Sequence, residues 1–154
     1  EQLNNLVSME QDLRTIIATE PDNTAALNAL GYTLANRTTR YGEALDLISR
    51  ALALKPDEPA ILDSMGWVMF RTEQYAASVN YLTRAYNRFP DAEVASHLGE
   101  VLWAQGKTEA AIVVWQGALL REPNHPVLLN TLERLGVELP VGLPTQIYPV
   151  EHRP

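Results

Sequence analysis

Apolar residues recur at intervals of three and four along most of the chain, in runs that short polar breaks separate. Residues at these intervals share one face of an α-helix, so each run predicts an amphipathic helix. The runs come in pairs, which predicts an all-α chain built from helix pairs. The clearest runs are Leu27, Leu30 and Leu34; Leu45, Ile48 and Leu52; Leu62, Met65 and Met69; and Val79, Leu82 and Tyr86.

The helix pairs repeat with a period of about 34 residues. Prolines follow the second helix of each pair at Pro21, Pro56, Pro90 and Pro123, spaced 35, 34 and 33 residues apart. Glycines recur inside the first helix at Gly31, Gly66 and Gly99, and small residues recur in the second helix at Ala44, Ser78 and Ala111. Because several residue types keep one period, we interpret the chain as a repeat protein.

Each of the three glycines is predicted to serve packing within a helix pair. A glycine inside a helix costs about 1 kcal/mol relative to alanine, so its presence needs a structural reason. Without a side chain, Gly66 lets the second helix approach at Ser78 almost backbone to backbone. Gly31 with Ala44 and Gly99 with Ala111 are expected to do the same. The alternative, that these glycines are kinks or accidents, is disfavoured because each has a small residue at a matching distance.

The pattern resembles the tetratricopeptide repeat, whose motif asks for Leu-Gly, then Ala, a large apolar residue, Ala and Pro. The three copies are Leu30, Gly31, Ala44, Ile48, Ala51 and Pro56; Met65, Gly66, Ser78, Leu82, Ala85 and Pro90; and Leu98, Gly99, Ala111, Trp115, Ala118 and Pro123. The first copy has one extra residue, assigned to its turn at residues 37–40, and the motif's first aromatic residue is replaced in all three. The resemblance implies a right-handed superhelix of antiparallel helix pairs, an α–α solenoid.

The repeat fixes the expected organisation of the chain. The predicted segments are the second helix of a truncated repeat (1–23), three repeats (24–58, 59–91 and 92–125), a capping helix (126–136) and a proline-rich extended tail (137–154). A solenoid that begins in mid-unit exposes an apolar face, so we expect more repeats before Glu1 or another cover for the first helix. Asp57, Asp91 and Asn124 follow the prolines and are expected to cap the next helices.

The first helices of a stacked solenoid line its inner side, and residues between their core positions are predicted to form a groove. Trp67 and Phe70 cannot be centred on the core stripe of their helix, because each residue advances by about 100°. The alternative is that they, and Trp103, fill the seam with a neighbouring repeat. The predicted partner-binding residues are Asn28, Tyr32, Asn36, Asp63, Trp67, Phe70, Arg71, His97, Glu100 and Trp103.

Aromatic residues beside Asp63 and Glu100 suit a protein partner, in particular an extended peptide with apolar anchors. A clamp for a terminal carboxylate is disfavoured because the predicted groove holds Arg71 and no lysine. The net charge of −7, with 12 basic residues scattered among 19 acidic ones, disfavours a nucleic-acid or anionic-membrane partner.

No catalytic residue, metal site or cofactor is predicted, and we expect no enzyme activity. The chain has no cysteine, which excludes thiolate metal sites, and it lacks the glycine-rich and nucleophile motifs of common enzymes. The sequence offers His97, His125 and His152 no carboxylate partner at ligand spacing. No apolar run approaches the roughly 18 residues that a membrane span needs.

The residues at the other positions of the repeats are more informative than the motif positions alone. "LNALGYTLANRT" (27–38), "AILDSMGWV" (60–68) and "DAEVASHLGEVLWAQGK" (91–107) resemble the C-terminal repeats of outer-membrane tetratricopeptide lipoproteins of pseudomonads and related bacteria. The similarity covers roughly residues 9–135. It implies a periplasmic scaffold at the outer membrane, held by an N-terminal lipid that is not in this chain. It also implies a carboxyl-terminal processing protease and the cell-wall hydrolases it degrades as partners.

A second hypothesis stays open at this point. The chain could instead be a structural segment of a longer superhelix that self-associates. In that case the extended tail would dock on its own solenoid or on a neighbouring chain, and a homo-oligomer would form through it.

Overall fold

The computed structural model describes residues 2–139, which fold into eight helices without a strand. The all-α prediction is confirmed. The predicted tail lies, from residue 140 onwards, outside the described residues. The helices are α1 (Gln2–Thr19), α2 (Thr24–Arg37), α3 (Tyr41–Leu54), α4 (Pro59–Arg71), α5 (Tyr75–Arg88), α6 (Ala92–Ala104), α7 (Thr108–Arg121) and α8 (Pro126–Leu135).

The helices stack as a solenoid of pairs. The helices α2 and α3, α4 and α5, and α6 and α7 pack against each other within pairs, and α2, α4, α6 and α8 pack in succession along one side. The helices α4 and α6 therefore each contact their own partner and the first helices before and after them. Residues 61–68 of α4 are all buried as a result, whereas α5 buries only Ser78, Leu82 and Ala85.

The glycines lie where two helices of a pair meet, but the neighbour that needs the space is mainly a large side chain. A Cβ added at Gly66 would lie 2.5 Å from Leu82 Cγ and 3.2 Å from the Ser78 carbonyl oxygen. A Cβ at Gly31 would lie 2.5 Å from Ile48 Cγ1 and 3.1 Å from the carbonyl oxygen of Ala44. The predicted approach to a small residue is therefore only half of the reason for glycine here.

At the third glycine the nearest neighbour is again a large side chain, and the predicted approach of Ala111 stays a prediction. The nearest three atoms to a Cβ at Gly99 all belong to the indole of Trp115, and Ala111 is not among them. The large apolar position of the motif carries tryptophan in this repeat, and its ring is fully buried against the glycine. Gly99 therefore makes room for an aromatic ring.

The extra residue of the first repeat lies in its helix, which corrects its assignment to the turn. The turns after α2, α4 and α6 each contain three residues, while α2 has 14 residues and α4 and α6 have 13. The turns also differ in conformation. Glu73 and Gly106 adopt positive φ values of 61° and 77°, whereas Thr38 at the end of α2 is extended. The longer helix reaches the next one without a left-handed residue.

Helix capping follows the prediction at one of three positions. Asp91 caps α6, and its carboxylate accepts a hydrogen bond from the Val94 backbone N–H at 2.8 Å. Asp57 and Asn124 do not cap, because α4 and α8 begin one residue later with proline at the first helical position. Proline at this position supplies a helical φ and needs no partner for an N–H.

Helix α1 packs through one face on the first repeat. Leu13 and Ile17 join the core of the first two repeats, while Leu3 and Val7 are 77% and 53% exposed. Charged side chains reinforce the contact. The guanidinium of Arg40 donates to both oxygens of Glu10 at 2.9 Å, and Arg14 bridges Glu10 and Glu43.

The space at Gly66 predicts a large effect of a single methyl group. Gly66→Ala is expected to lower the free energy of unfolding by about 1–3 kcal/mol, because Leu82 and the α5 backbone must move. Gly42→Ala is the matched control, since Gly42 is exposed in α3 with no atom near its added Cβ. It should be neutral or stabilising by up to about 1 kcal/mol. Urea unfolding of both variants measures the difference, and equal effects would contradict the packing role.

The left-handed turns predict two opposite effects. Glu73→Gly is expected to stabilise the chain by about 1 kcal/mol, because glycine adopts a positive φ without the steric cost of a side chain. Gly106 also has a positive φ and open space around it, so Gly106→Ala should destabilise the chain by a similar amount. Thermal unfolding of the two variants measures both. Shifts of the same sign would contradict the steric cost assigned to a side chain at a positive φ.

Candidate functional site

Two cavities on the inner side of the solenoid contain most of the predicted site residues. The central cavity has a volume of about 610 Å³, and its walls come from α2, α4, α6 and α8. Its residues are Tyr32, Asn36, Trp67, His97, Glu100, Val127, Asn130, Thr131, Glu133 and Arg134. The acidic cavity, of about 570 Å³, lies beside it. Its residues are Asn28, Ala29, Tyr32, Glu58, Pro59, Ala60, Asp63, Ser64, Arg88, Phe89, Asp91, Glu93 and Val94.

A hydrogen-bonded chain of side chains joins three repeats beneath these cavities. The Nδ1 of His97 lies 2.9 Å from Asp63 Oδ1, and its Nε2 lies 3.2 Å from the Tyr32 hydroxyl. The three residues come from α6, α4 and α2, one from each repeat. The imidazole also stacks on the indole of Trp67, with ring centroids 4.3 Å apart. The cluster therefore fixes the relative positions of the first helices.

The Asp63 carboxylate sets the charge preference of His97. Burial disfavours the imidazolium, but the negative charge and hydrogen bond of Asp63 outweigh this, and the pKa of His97 is raised above its ordinary value of 6.5. Burial also raises the pKa of Tyr32, and the nearby carboxylates of Asp63, Glu93 and Glu100 add to the shift. Tyr32 therefore stays protonated at neutral pH and is a poor nucleophile.

The pairing of His97 with Asp63 corrects the sequence analysis, which finds no carboxylate partner for any histidine. The two residues are 34 positions apart, which is one repeat, so stacking brings them together. A search at the repeat period, instead of at intervals within one helix, could find the pair. Glu100 and Arg134 are also 34 positions apart and form an ion pair at 2.7 Å.

Trp67 lines the central cavity, but it is not an exposed anchor. Only 5% of the residue is exposed, because its ring packs between the first and third repeats. Its Nε1–H donates to the Asn36 side-chain oxygen at 3.2 Å. Phe70 is half-buried, 5.1 Å from Trp67 and 5.8 Å from Tyr75 between ring centroids. Both aromatic residues fill seams between repeats, as the alternative interpretation expects.

Trp103 and Arg71 do not line either cavity. The ring of Trp103 lies 5.8 Å from that of Trp115 and packs in the core of the third repeat. Arg71 donates to the hydroxyl of Tyr41 at 3.1 Å, at the turn end of the first two repeats. Their assignment to a partner-binding groove therefore has no support from the two cavities and stays a prediction. Phe70 does not line either cavity, and the other seven predicted residues lie in the cavity walls: Asn28, Tyr32, Asn36, Asp63, Trp67, His97 and Glu100.

The cavities also contain residues that sequence reasoning missed. Arg134, Asn130 and Val127 come from α8, which the sequence identifies only as a cap. The carboxylate of Glu100 is bound to Arg134, so this arginine offers no free charge to a terminal carboxylate. Glu58, Phe89 and Glu93 lie in loops or at helix starts, where hydrophobic periodicity carries no information about the inner face.

Among residues 2–139 there is no group of three histidine, aspartate or glutamate side chains that could hold a metal ion. No helix in this part of the chain is long and apolar enough to cross a membrane. Tyr32, His97 and Asp63 follow one another in the order of the nucleophile, base and acid of a catalytic triad. In the position of the nucleophile, however, stands a protonated tyrosine in a buried seam. The arrangement therefore suits structure and recognition better than catalysis.

Comparison with known proteins identifies the family. The sequence pattern of the tetratricopeptide repeat matches residues 10–59 and 65–125, which is more than half of the chain. The chain belongs to the tetratricopeptide-repeat family. The fold mediates protein–protein interaction in general, its members are typically non-catalytic scaffolds, and no enzyme family is indicated.

Three similar proteins illustrate the relationship. A TPR repeat-containing protein of Pseudomonas aeruginosa is 57% identical over 141 residues, which is 91% of this chain and 24% of that protein. The crystal structure of a thermophilic TPR protein of Thermus thermophilus has a TM-score of 0.74 and 18% identity, covering 88% of this chain and 76% of that one. The pilF protein of Pseudomonas aeruginosa has a TM-score of 0.68 and 21% identity, covering 88% and 64%. These two structures support the fold alone. The chain spans about a quarter of the length of its curated Pseudomonas relative.

The buried pair predicts a pH-dependent stability. Asp63→Asn is expected to lower the free energy of unfolding by about 1–3 kcal/mol at pH 6, because the imidazolium loses its counter-charge. The pKa of His97 is raised on folding, so its contribution is complete below about pH 6.5 and is lost as the pH rises through the raised value. The difference between wild type and variant should therefore shrink toward about pH 9.

Urea unfolding between pH 6 and 9 measures this difference. Asp46→Asn is the matched control, since Asp46 is exposed on α3 and lines neither cavity. It should unfold like the wild type at every pH. A difference for Asp63→Asn that stays constant across the range would contradict the role assigned to the ion pair.

Proposed function

We propose that the chain is a non-catalytic scaffold that binds an extended segment of a partner protein along its inner face. The central cavity is the observation that carries this proposal. Four helices from successive repeats supply its walls, so it follows the solenoid axis as a peptide would. The Tyr32–His97–Asp63 chain joins three of them, α2, α4 and α6. A preformed wall lowers the conformational cost of binding.

The chemistry of the rim supports a peptide ligand. Asn36, Asn130 and Glu133 are exposed at the central cavity and supply amide and carboxylate groups that pair with backbone N–H and C=O groups. The partly buried Tyr32 and Val127 supply apolar contact area beside them. A few polar groups on a mostly preformed wall are typical of recognition sites.

The finer proposal is an adaptor that brings protein substrates to a carboxyl-terminal processing protease, with cell-wall hydrolases as those substrates. Its support is the resemblance of the three sequence segments to pseudomonad outer-membrane lipoproteins, together with the 57% identity to a Pseudomonas aeruginosa protein. Under this proposal the chain works at the periplasmic face of the outer membrane and is held there by a lipid on a preceding segment.

The alternative of self-association rests mainly on the C-terminal tail, which lies outside the described residues. Exposed apolar side chains, such as Leu3 and Val7 on α1 and Val113 and Leu120 on α7, are compatible with it in the described part. They lie away from both cavities. The inner face therefore supports the scaffold function more directly.

A substitution in α8 tests the scaffold function. Asn130→Arg places a long cationic side chain at the mouth of the central cavity and should weaken binding of the purified processing protease at least tenfold, which is about 1.4 kcal/mol. Isothermal titration calorimetry of the purified chain measures the affinity. The expected loss has a steric cause, since Asn130 is exposed and makes no hydrogen bond through its side chain to residues 2–139.

Asn80→Arg is the matched control, because Asn80 is exposed on α5 and lines neither cavity. It should bind like the wild type, and both variants should keep the wild-type circular dichroism. Equal weakening by the two substitutions would refute the inner face as the binding site. Absence of protease binding by the wild type would refute the adaptor proposal.

A further inference from the structure

The wall of the acidic cavity carries a net negative charge, and Lys55 lines an adjoining cavity together with Glu58. Glu58 and Glu93 lie in the wall of the acidic cavity, and neither carboxylate has an ion-pair or hydrogen-bond partner among residues 2–139. Arg88 is the basic residue of this wall, and its guanidinium is directed to Asp57 at 3.5 Å. The other two carboxylates of the cavity are engaged, since Asp91 caps α6 and Asp63 holds His97.

The pKa values of two neighbouring side chains, Tyr32 and His97, are shifted by nearby negative charges. Burial raises the pKa of the Tyr32 hydroxyl, and Asp63, Glu93 and Glu100 raise it further. Glu93 and Glu100 also favour the charged form of His97. A field that disfavours another negative charge at Tyr32 favours a positive charge brought by a ligand.

Two further features indicate that the acidic cavity can bind a side chain of a ligand and is more than a charged surface. Phe89 lies in its wall with 59% of the residue exposed, so its ring is accessible to an apolar side chain of a ligand. The side-chain oxygen of Asn28 is buried at this cavity and accepts no hydrogen bond from the described residues. An acceptor without a donor is costly and is satisfied by an N–H group of a ligand.

We infer that the acidic cavity binds a lysine or arginine side chain of an extended peptide, with the cation at Glu58 and Glu93 and a neighbouring apolar side chain on Phe89. The inference rests on the proposed function, in which the inner face binds a peptide. It adds that basic and apolar residues alternate along the partner segment. Charge complementarity decides between this occupant and an acidic segment, which the same carboxylates would repel.

The experiment uses synthetic peptides with acetylated and amidated ends, so that no terminal charge contributes. One peptide carries lysine and leucine separated by glycine; in two others norleucine or glutamate replaces each lysine. Fluorescence anisotropy with the purified chain is expected to show the lysine peptide binding at least tenfold more tightly than the norleucine peptide. The preference should fall as ionic strength rises, since exposed charges are screened.

Variants of the chain locate the cation. Glu58→Gln and Glu93→Gln should each weaken binding of the lysine peptide about two- to fivefold and leave the norleucine peptide unaffected, because each removes one exposed charge. Glu109→Gln is the matched control, since Glu109 is exposed at the start of α7 and outside this cavity. Phe89→Ala should weaken both peptides to the same extent.

The outcomes separate the inference from the proposed function. Equal affinity for the lysine, norleucine and glutamate peptides, with Asn130→Arg still weakening all of them, would overturn the cation site and leave the peptide-binding face intact. Peptide binding that is indifferent to Asn130→Arg and to Phe89→Ala would refute the proposed function itself. A dimer in sedimentation that Glu58→Gln dissociates would make a second copy of the chain the occupant and would also overturn the inference.

Discussion

The close approach of the paired helices at Gly31, Gly66 and Gly99 is the constraint on which the structure depends. Gly31 and Gly66 leave space that Ile48 and Leu82 fill within 2.5 Å of where a Cβ would stand, and the partner's carbonyl oxygen lies within 3.2 Å. Such contact sets the distance between the helices of a pair. It thereby sets how far each first helix reaches toward its neighbours, and so where the inner side chains lie. The buried hydroxyl of Ser78, which donates to the Gly66 carbonyl at 2.6 Å, is possible only at this distance.

The polar contacts across repeats are a consequence of this stacking. Residues one repeat apart face each other, and Asp63 with His97 and Glu100 with Arg134 use that relation. A buried charge without a partner would destabilise the fold by several kcal/mol, so each pair requires the register of the solenoid to be correct. The pairs therefore contribute specificity of stacking, and the same side chains form the walls of the cavities.

Aromatic residues on the inner side divide into two groups with different roles. Trp67, Phe70 and Trp103 are packed in seams or in the core, where they stabilise the contact between repeats. Phe89 and Tyr32 lie at the acidic cavity, and Phe89 keeps more than half of its surface exposed. The available apolar surface is thus small and lies beside unpaired carboxylates. This combination favours a partner segment that is basic and apolar over one that is purely hydrophobic.

The sequence by itself determined the all-α class, the period, the position of each helix pair and the glycines, because these follow from spacing along a single helix or from one repeat to the next. It also indicated that Tyr32, Asn36, Asp63 and Glu100 lie off the core stripe of their helices. Only the tertiary structure decided that Trp67 is buried while Phe89 is exposed, that Asp63 holds His97, and that α8 supplies Arg134 to the cavity. The physical reason is that burial and pairing at the inner face depend on the distance and rotation between repeats. Those two quantities arise from the packing of all the helices together, and no single helix pattern contains them.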